Sequence, residues 1–250
     1  RCSYCVIPEL RGDFRSRPID SIVTEARHLA KGGARELILI AQDTTRYGKD
    51  LYGTYSLDKL LKEVCRIDEI EWVRVLYMYP TRVTDELIEV IASEPKVCKY
   101  VDLPLQHVDD ELLRLMNRQG QIEEAQQTIE KFREAIPDVT VRSTFIVGFP
   151  GETERKFQKL LDFLKETRLD RVGIFTYSPE SGTPASFLPG RIKKTVKKMR
   201  KHKAMEVQRL ISRENNEAKI GRVMKVLIEG RAEESKLVTV GRSQAEAPDI

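Results

Sequence analysis

Between Pro18 and Pro179 the chain alternates between segments with the period of a helix and short apolar runs, and it does so five times over. The first segment, "PIDSIVTEARHLAKGGA", places Ile19, Ile22, Val23, Ala26, Leu29 and Ala30 on one stripe and closes on Gly32 and Gly33. The run "ELILIAQD" follows at once and reads as a strand buried on both faces. "SLDKLLKEVCRI", with Ser56 as its expected cap, precedes the strand "EWVRVLYMYP", stopped by Pro80; "TDELIEVIASEP", capped by Thr84, precedes "YVDLPLQ". "IEEAQQTIEKFREAIPD" and "VTVRSTFIVGFPG", then "ERKFQKLLDFLKETRLD" and "RVGIFTYSP", complete the series. Repeated units of this kind impose parallel strands with right-handed crossovers, so the fold class is α/β, with a sheet that is either open or curled into a barrel. No Gly-x-Gly-x-x-Gly follows any of the runs, which leaves a dinucleotide site without support.

After "SGTPASFLPG" the pattern changes to one long basic helix, roughly Lys193 to Lys219, and then to two alternating runs, "RVMKVLIEG" and "KLVTVGRS". Two strands are too few to stand alone, so the chain is expected to end inside a small β module. The expected units are 1–189, 190–219 and 220–250. With 250 residues there is ample apolar content for a core, and neither a membrane span nor a charged-then-apolar leader is present, so a cytoplasmic, membrane-free protein is expected. The net charge of +4 says little about partners, but "RIKKTVKKMRKHK", Arg191 to Lys203, holds eight Lys or Arg and no acid. That stretch suits either contact with RNA phosphates or a solvated helix face, and no aromatic residue interleaves it for base stacking.

The four cysteines are Cys2, Cys5, Cys65 and Cys98, too few and too scattered for a secreted disulfide scaffold. Cys65 falls on the apolar side of its helix, and it and Cys98 read as buried, inert thiols. In "RCSYCVIPELRGDFRSRP" no strand precedes Cys2, which argues against a thioredoxin-type pair, and no second pair exists for a zinc site. An iron–sulfur cluster remains, and it usually needs more than two thiolates; a further one four positions before Cys2 would lie outside the chain.

Taken together, "RCSYCVIPELRGDFRSRP", "LILIAQDTTRYG", "VDLPLQH" and "STFIVGFPGETE" resemble the radical S-adenosylmethionine (SAM) methylthiotransferases over essentially the whole chain. The resemblance implies a parallel partial (β/α)6 barrel, TIM-barrel-like, whose first strand lies upstream, followed by a linker helix and the start of a TRAM-like β-barrel. Cys2 and Cys5 would be the second and third ligands of a [4Fe-4S] cluster in a Cys-x3-Cys-x2-Cys loop, with the first ligand upstream of Arg1. The fourth iron would take the amino and carboxylate groups of S-adenosylmethionine. A second [4Fe-4S] cluster would belong to an N-terminal domain that nothing here matches, so this stretch alone is expected to be inactive in sulfur insertion and to hold a cluster poorly, with a mobile loop around Cys2.

By position, the resemblance also assigns cofactor contacts. Tyr4 would pack near the adenine, Gln42 and Asp43 would meet the methionine part, and Gln106, Arg142, Ser143 and Gly148 would line the remainder. Each has a plainer reading: a loop tyrosine, a helix cap, an ion pair, a turn glycine. His107 is left without a role. One-electron reduction would cleave S-adenosylmethionine to a 5′-deoxyadenosyl radical that takes hydrogen from an unactivated carbon, the chemistry residing in the cofactor. "AQDTTRYG", "RVLYMYP" and "DLPLQH" resemble the branch that modifies an aspartate of the twelfth small-subunit ribosomal protein, on the ribosome or a precursor particle, with an electron donor protein as partner. The alternatives are the branch that modifies an adenosine of tRNA and, in another class, a ribosome- or RNA-binding module without chemistry.

Overall fold

The computed structural model describes residues 2–248; Arg1, where the first expected unit begins, and Asp249 and Ile250, where the last one ends, lie outside it. Five parallel strands follow one another in chain order: β1 (Glu36–Leu39), β2 (Trp72–Val75), β3 (Tyr100–Asp102), β4 (Thr140–Val147) and β5 (Arg171–Thr176). β1 pairs β2 with Glu36 opposite Trp72, β3 pairs β4 with Asp102 opposite Arg142, and β4 pairs β5 with Arg142 opposite Arg171. Between β2 and β3 the ladder thins to the Val73–Val97 bridge, and Met78 N–H donating to the Asp102 carbonyl (2.9 Å) carries the join upward. The result is one open arc, the parallel α/β partial barrel.

The helices are α1 (Ile7–Arg11), α2 (Ile19–Lys31), α3 (Lys49–Tyr52), α4 (Leu57–Cys65), α5 (Asp85–Ser93), α6 (Asp110–Leu115), α7 (Ile122–Ala135) and α8 (Glu154–Thr167). α2, α4, α5, α7 and α8 bury apolar stripes on the outer face of the arc, whereas the short α1 and α3 bury no residue. Phe145 of β4 meets Phe163 of α8 edge to face at 6.1 Å, which fixes the outward side of that strand. Arg142, Thr144 and Ile146 therefore face the hollow of the arc, as residues two apart on a strand share a face. α2 ends as expected, with Gly33 at φ +98° just past it. Thr84 caps α5 by accepting from Leu87 N–H (3.2 Å). Ser56 precedes α4 without capping it; its hydroxyl donates to the Thr54 carbonyl instead (3.2 Å).

The strands are shorter than the apolar runs that predict them. β1 and β2 leave the ladder after four residues, and Pro104, lacking an N–H, interrupts β3 until Gln106 bridges Phe145. The residues gained for loops, 40–43, 76–79 and 103–107, are those that reach the site. α6, which alternation does not foresee, adds a second helix between β3 and β4.

A 24-residue helix, α9 (Lys194–Glu217), lies along the outer strand β5 and beside α8. An antiparallel hairpin, β6 (Val226–Ala232) and β7 (Ser235–Ser243), follows. The segment after it tucks under the N-terminal ends of the strands: Arg74 Nη1 donates to the Gln244 carbonyl (2.8 Å) and Arg171 Nη2 to Glu246 Oε1 (2.8 Å). Glu36 bridges Arg74 (2.8 Å) and Arg242, all three nearly without exposure. Trp72 sits there with Leu76, Cys98 and Tyr100, and Leu227 and Ala247 close over them.

Candidate functional site

The Cys2–Cys5 loop is fixed by Ser3, which lies at the end of α6. Ser3 N–H donates to the Met116 carbonyl (2.9 Å), its hydroxyl to the Leu115 carbonyl (2.7 Å), and its own carbonyl accepts from Ala185 N–H (2.8 Å). Those are carbonyls that a helix end leaves without intrahelical partners, so the loop completes α6 while α6 holds the loop. Cys5 N–H donates to the Cys2 carbonyl (3.2 Å), which closes the turn. Both thiols are unpaired and partly exposed, whereas Cys65 and Cys98 are buried, and burial pushes each of these two up to about 12. The accessible pair suits a cluster held by thiolates on a loop. Among the described residues no set of three or more His, Cys, Asp or Glu is placed to hold a metal ion, so the pair fits part of a ligand set rather than a complete one.

A line of alternating charge runs from the pair across the strand ends. Arg118, just past α6, donates from Nη1 to Cys2 Sγ (3.8 Å) and from Nη2 to the Pro104 carbonyl (2.5 Å), and lies 4.5 Å from the Tyr79 ring. Arg82 lies 4.3 Å from that same ring and pairs with Asp43. The Tyr79 hydroxyl is locked by Gln119, donating to its carbonyl (2.9 Å) and accepting from its N–H (2.8 Å). Asp43 also accepts from the Thr45 hydroxyl, so its carboxylate is occupied; its neighbour Gln42 is exposed. Tyr4 turns inward, edge-on to Phe149 at 6.3 Å, and burial together with the adjacent Cys2 pushes its phenol up.

On the far side the network centres on Glu152. Its carboxylate accepts from Gly148 N–H, from Arg200 Nη1 (2.7 Å) and from His107 Nε2 (3.3 Å), and is fully enclosed. Asp109 N–H donates to His107 Nδ1 (3.0 Å), which leaves Nε2–H to donate to Glu152. His107, unassigned by the sequence, is thus a strut between the end of β3 and the β4–α8 turn. Gln106 sits at φ +73° and holds the same end by accepting from Ile146 N–H (2.7 Å). Gly148, at φ +75°, faces the stem of Lys197, which a Cβ would strike; Lys197 Nζ donates to the Tyr177 carbonyl (2.7 Å).

Cys2, Cys5, Tyr4, Gln42, Asp43, Gln106 and Gly148 therefore gather around the C-terminal ends of the strands. Arg142 and Ser143 lie three and two positions before Phe145, the partner of Gln106, and so sit lower. Ser143 is enclosed and spends its hydroxyl on β3, donating to the Leu103 carbonyl (2.7 Å) and accepting from Leu105 N–H (3.2 Å). Arg142 donates to Asp102 Oδ1 (3.1 Å). Arg118 and Glu152 escaped the sequence reading; "GFPGE" contained the signal for Glu152, whereas Arg118 needed the fold. Part of the basic stretch is structural too: Arg200 is buried on Glu152, and Arg191 donates to the Ser186 carbonyl (2.6 Å). Lys193, Lys194, Lys198 and Lys203 are exposed. No helix among the described residues is long and apolar enough to cross a membrane.

A family model described as the Radical SAM superfamily matches residues 1–164. Over its whole length the chain is similar to proteins named "Ribosomal protein uS12 methylthiotransferase RimO", and it spans about half the length of these relatives. The Desulforamulus reducens protein is 51% identical over 250 residues, 100% of this chain and 56% of that one. The Moorella thermoacetica protein is 52% identical over the same shares. Among solved structures, the methyltransferase TsrM from Kitasatospora setae, with cobalamin and a [4Fe-4S] cluster bound, superposes with TM-score 0.61 at 20% identity, over 74% of this chain and 36% of that one. Coproporphyrinogen III oxidase HemN from Escherichia coli gives 0.55 at 17% identity, over 87% and 48%. At these identities the two structures speak for the fold.

Proposed function

The chain belongs to the Radical SAM superfamily, and from that premise we propose that it is the radical-forming core of a methylthiotransferase acting on an aspartate of ribosomal protein uS12. The observation that carries this reading is identity near 50% to RimO proteins over the entire chain. The tRNA-modifying alternative has no comparable support.

In this reading Cys2 and Cys5 supply two thiolates to a [4Fe-4S] cluster, and S-adenosylmethionine binds beside it over the strand ends. Cluster and S-adenosylmethionine, when bound, supply one-electron chemistry able to activate an unactivated carbon. The chain's own residues bind and enclose. Arg118, whose guanidinium already lies beside Cys2, is placed to meet a carboxylate there, a pairing that favours Arg for its planar fork. Tyr4, Gln42, Asp43, Gln106 and Gly148 supply the rest of the cofactor surface. Ser143, its hydroxyl spent on backbone, keeps β3 and β4 in register. The apolar cluster of Leu112, Met116, Phe149, Tyr177 and Ala185 behind Tyr4 keeps water away from that side. A second cluster, a reducing protein and the ribosomal particle are the partners this reading entails, with Lys193, Lys194, Lys198 and Lys203 facing RNA phosphate. In this reading the chain divides into core, basic helix and β module at 1–189, 190–219 and 220–250.

The test uses the full-length protein, reconstituted anaerobically with iron and sulfide. Reductant-dependent 5′-deoxyadenosine and a methylthio mass increment on uS12 are expected, both absent in Cys2→Ala and Cys5→Ala variants. A reduced, cluster-loaded protein that forms neither product would overturn the reading.

A further inference from the structure

Asp102, the last residue of β3, has no exposed surface and uses both carboxylate oxygens on groups facing the hollow of the arc. Oδ1 accepts from Arg142 Nη1 (3.1 Å) and Oδ2 from the backbone N–H of Tyr77 (3.0 Å). That second bond sustains an unusual conformation. Tyr77 stands at φ +59°, a left-handed geometry that costs a bulky residue free energy and persists where its surroundings enforce it. The outcome is a tyrosine ring 41% exposed inside the molecule's concave side rather than packed in its core.

Tyr77 and Arg142 bound one cavity of about 390 Å³, with Tyr100, Arg171 and the tail residues Ala245 to Pro248 around them. A second space of about 520 Å³, between β5 and α9, shares Arg142 and Arg171 with it and leads outward past Arg209 and His202. The charges in the two spaces divide unevenly. Arg171 is taken by Glu246, and the exposed His202 and Glu206 face each other along α9 (3.3 Å). Among the described residues, Arg142 spends one nitrogen on Asp102 and its Nε and Nη2 meet no acceptor, Arg209 has no side-chain partner, and neither has the Tyr77 hydroxyl. The described acids there are all engaged while a phenol and most of a guanidinium are not, so the unfilled capacity is for an acceptor carrying negative charge. The Nε–Nη2 edge of Arg142 matches the two oxygens of a carboxylate. Arg142 lies three residues below the level of Gln106, about 10 Å along the strand, inside the arc and beneath the proposed cofactor surface.

We propose that this cavity receives the acidic side chain of the polypeptide substrate, with Tyr77 and Arg142 as its donors and Asp102 as the positioning residue that aims them. The proposal rests on the uS12 reading and adds the residues that would make the enzyme choose aspartate over its neutral isostere. The methionine carboxylate of S-adenosylmethionine offers the same chemistry, and the experiment separates the two sources.

Two synthetic peptides are compared on the reconstituted full-length protein: the uS12 segment carrying the modified aspartate, and its Asp→Asn twin. Binding is read by fluorescence anisotropy, and S-adenosylmethionine affinity is measured alongside. The parent should prefer the aspartate peptide by about tenfold or more, the range expected when a hydrogen bond to a charged group is lost. Tyr77→Phe and Arg142→Gln should each reduce that ratio severalfold through the aspartate peptide alone. Asp102→Asn, folded by its thermal midpoint, should do likewise while keeping both donors. Equal binding of the two peptides by the parent, or an unchanged ratio in the variants, overturns the proposal and leaves the uS12 reading standing. Loss of S-adenosylmethionine affinity in Tyr77→Phe and Arg142→Gln assigns the donors to the cofactor and also overturns it. Binding of neither peptide by the parent defeats the uS12 reading and the proposal with it.

Discussion

Removing the Glu152 carboxylate would strand two buried donors, on Gly148 and His107, while Arg200 keeps the Glu152 backbone carbonyl (2.9 Å) and Glu154 (3.3 Å). Buried donors left unpaired cost about 1–3 kcal/mol each, so Glu152→Ala should lose about 2–6 kcal/mol of stability in chemical denaturation. A loss below about 1 kcal/mol would show that the turn is held by other means. The cysteines divide at the same scale. In the cluster-free folded protein an alkylating reagent at pH 8 should label Cys2 and Cys5 and spare Cys65 and Cys98, whose thiols burial holds near 12; labelling of all four before unfolding would contradict the burial. Some of this was legible in the sequence. Thr84 was, because a cap three residues from the N–H that donates to it is a local event. The duty of His107 was not, since Glu152, 45 positions away, defines it.

At the scale of elements, α9 does two jobs that its charge conceals. Its basic face reads as a nucleic-acid contact, yet Lys197 and Arg200 are spent on Tyr177 and Glu152. Gly148→Ala would put a methyl group into the Lys197 stem and strain a φ of +75°, so a loss of about 1–3 kcal/mol is expected, with α9 losing protection in hydrogen exchange. The tail after β7 is a second such element. Burial raises the Glu246 carboxyl, but the Ser243 hydroxyl and the Arg171 guanidinium outweigh it and hold the group below its ordinary 4.5. Its contribution to docking is therefore complete above that value and disappears as pH falls through the lower, folded one. Trp72, the single tryptophan, packs under Leu227 and Ala247 and reports the event. Its emission should shift red as pH drops below 4.5, and a Glu246→Gln variant should lack that transition. The alternation of helix and strand was readable because each amphipathic stripe is local; the strand lengths were not, because departure from the ladder is decided by what neighbouring loops hold.

For the whole molecule, the join between arc and hairpin rests on Glu36, caught between Arg74 and Arg242. Glu36→Ala should cost about 3–5 kcal/mol and release the hairpin, seen as one loss in denaturation and as a red-shifted Trp72 in the remaining folded state. A variant with parental stability and emission would mean that the tail is held by its other contacts, Arg74 on the Gln244 carbonyl and Arg171 on Glu246. This join was invisible in the sequence. Arg242 looks like any exposed residue of an alternating strand, and its partner on the arc, Glu36, lies on the first strand. Glu36 and Arg242 are 206 positions apart. At a synthesis rate of roughly 5–20 residues per second, the first strand leaves the ribosome about 10–40 s before its last partner exists. Once β2 has paired with β1, and until β7 is made, Arg74 and Glu36 share one bond without Arg242, with the underside of Trp72 open to solvent. The growing chain is thus exposed to aggregation and to chaperone capture until β7 has been made, and a pause in translation before that strand would prolong the exposure.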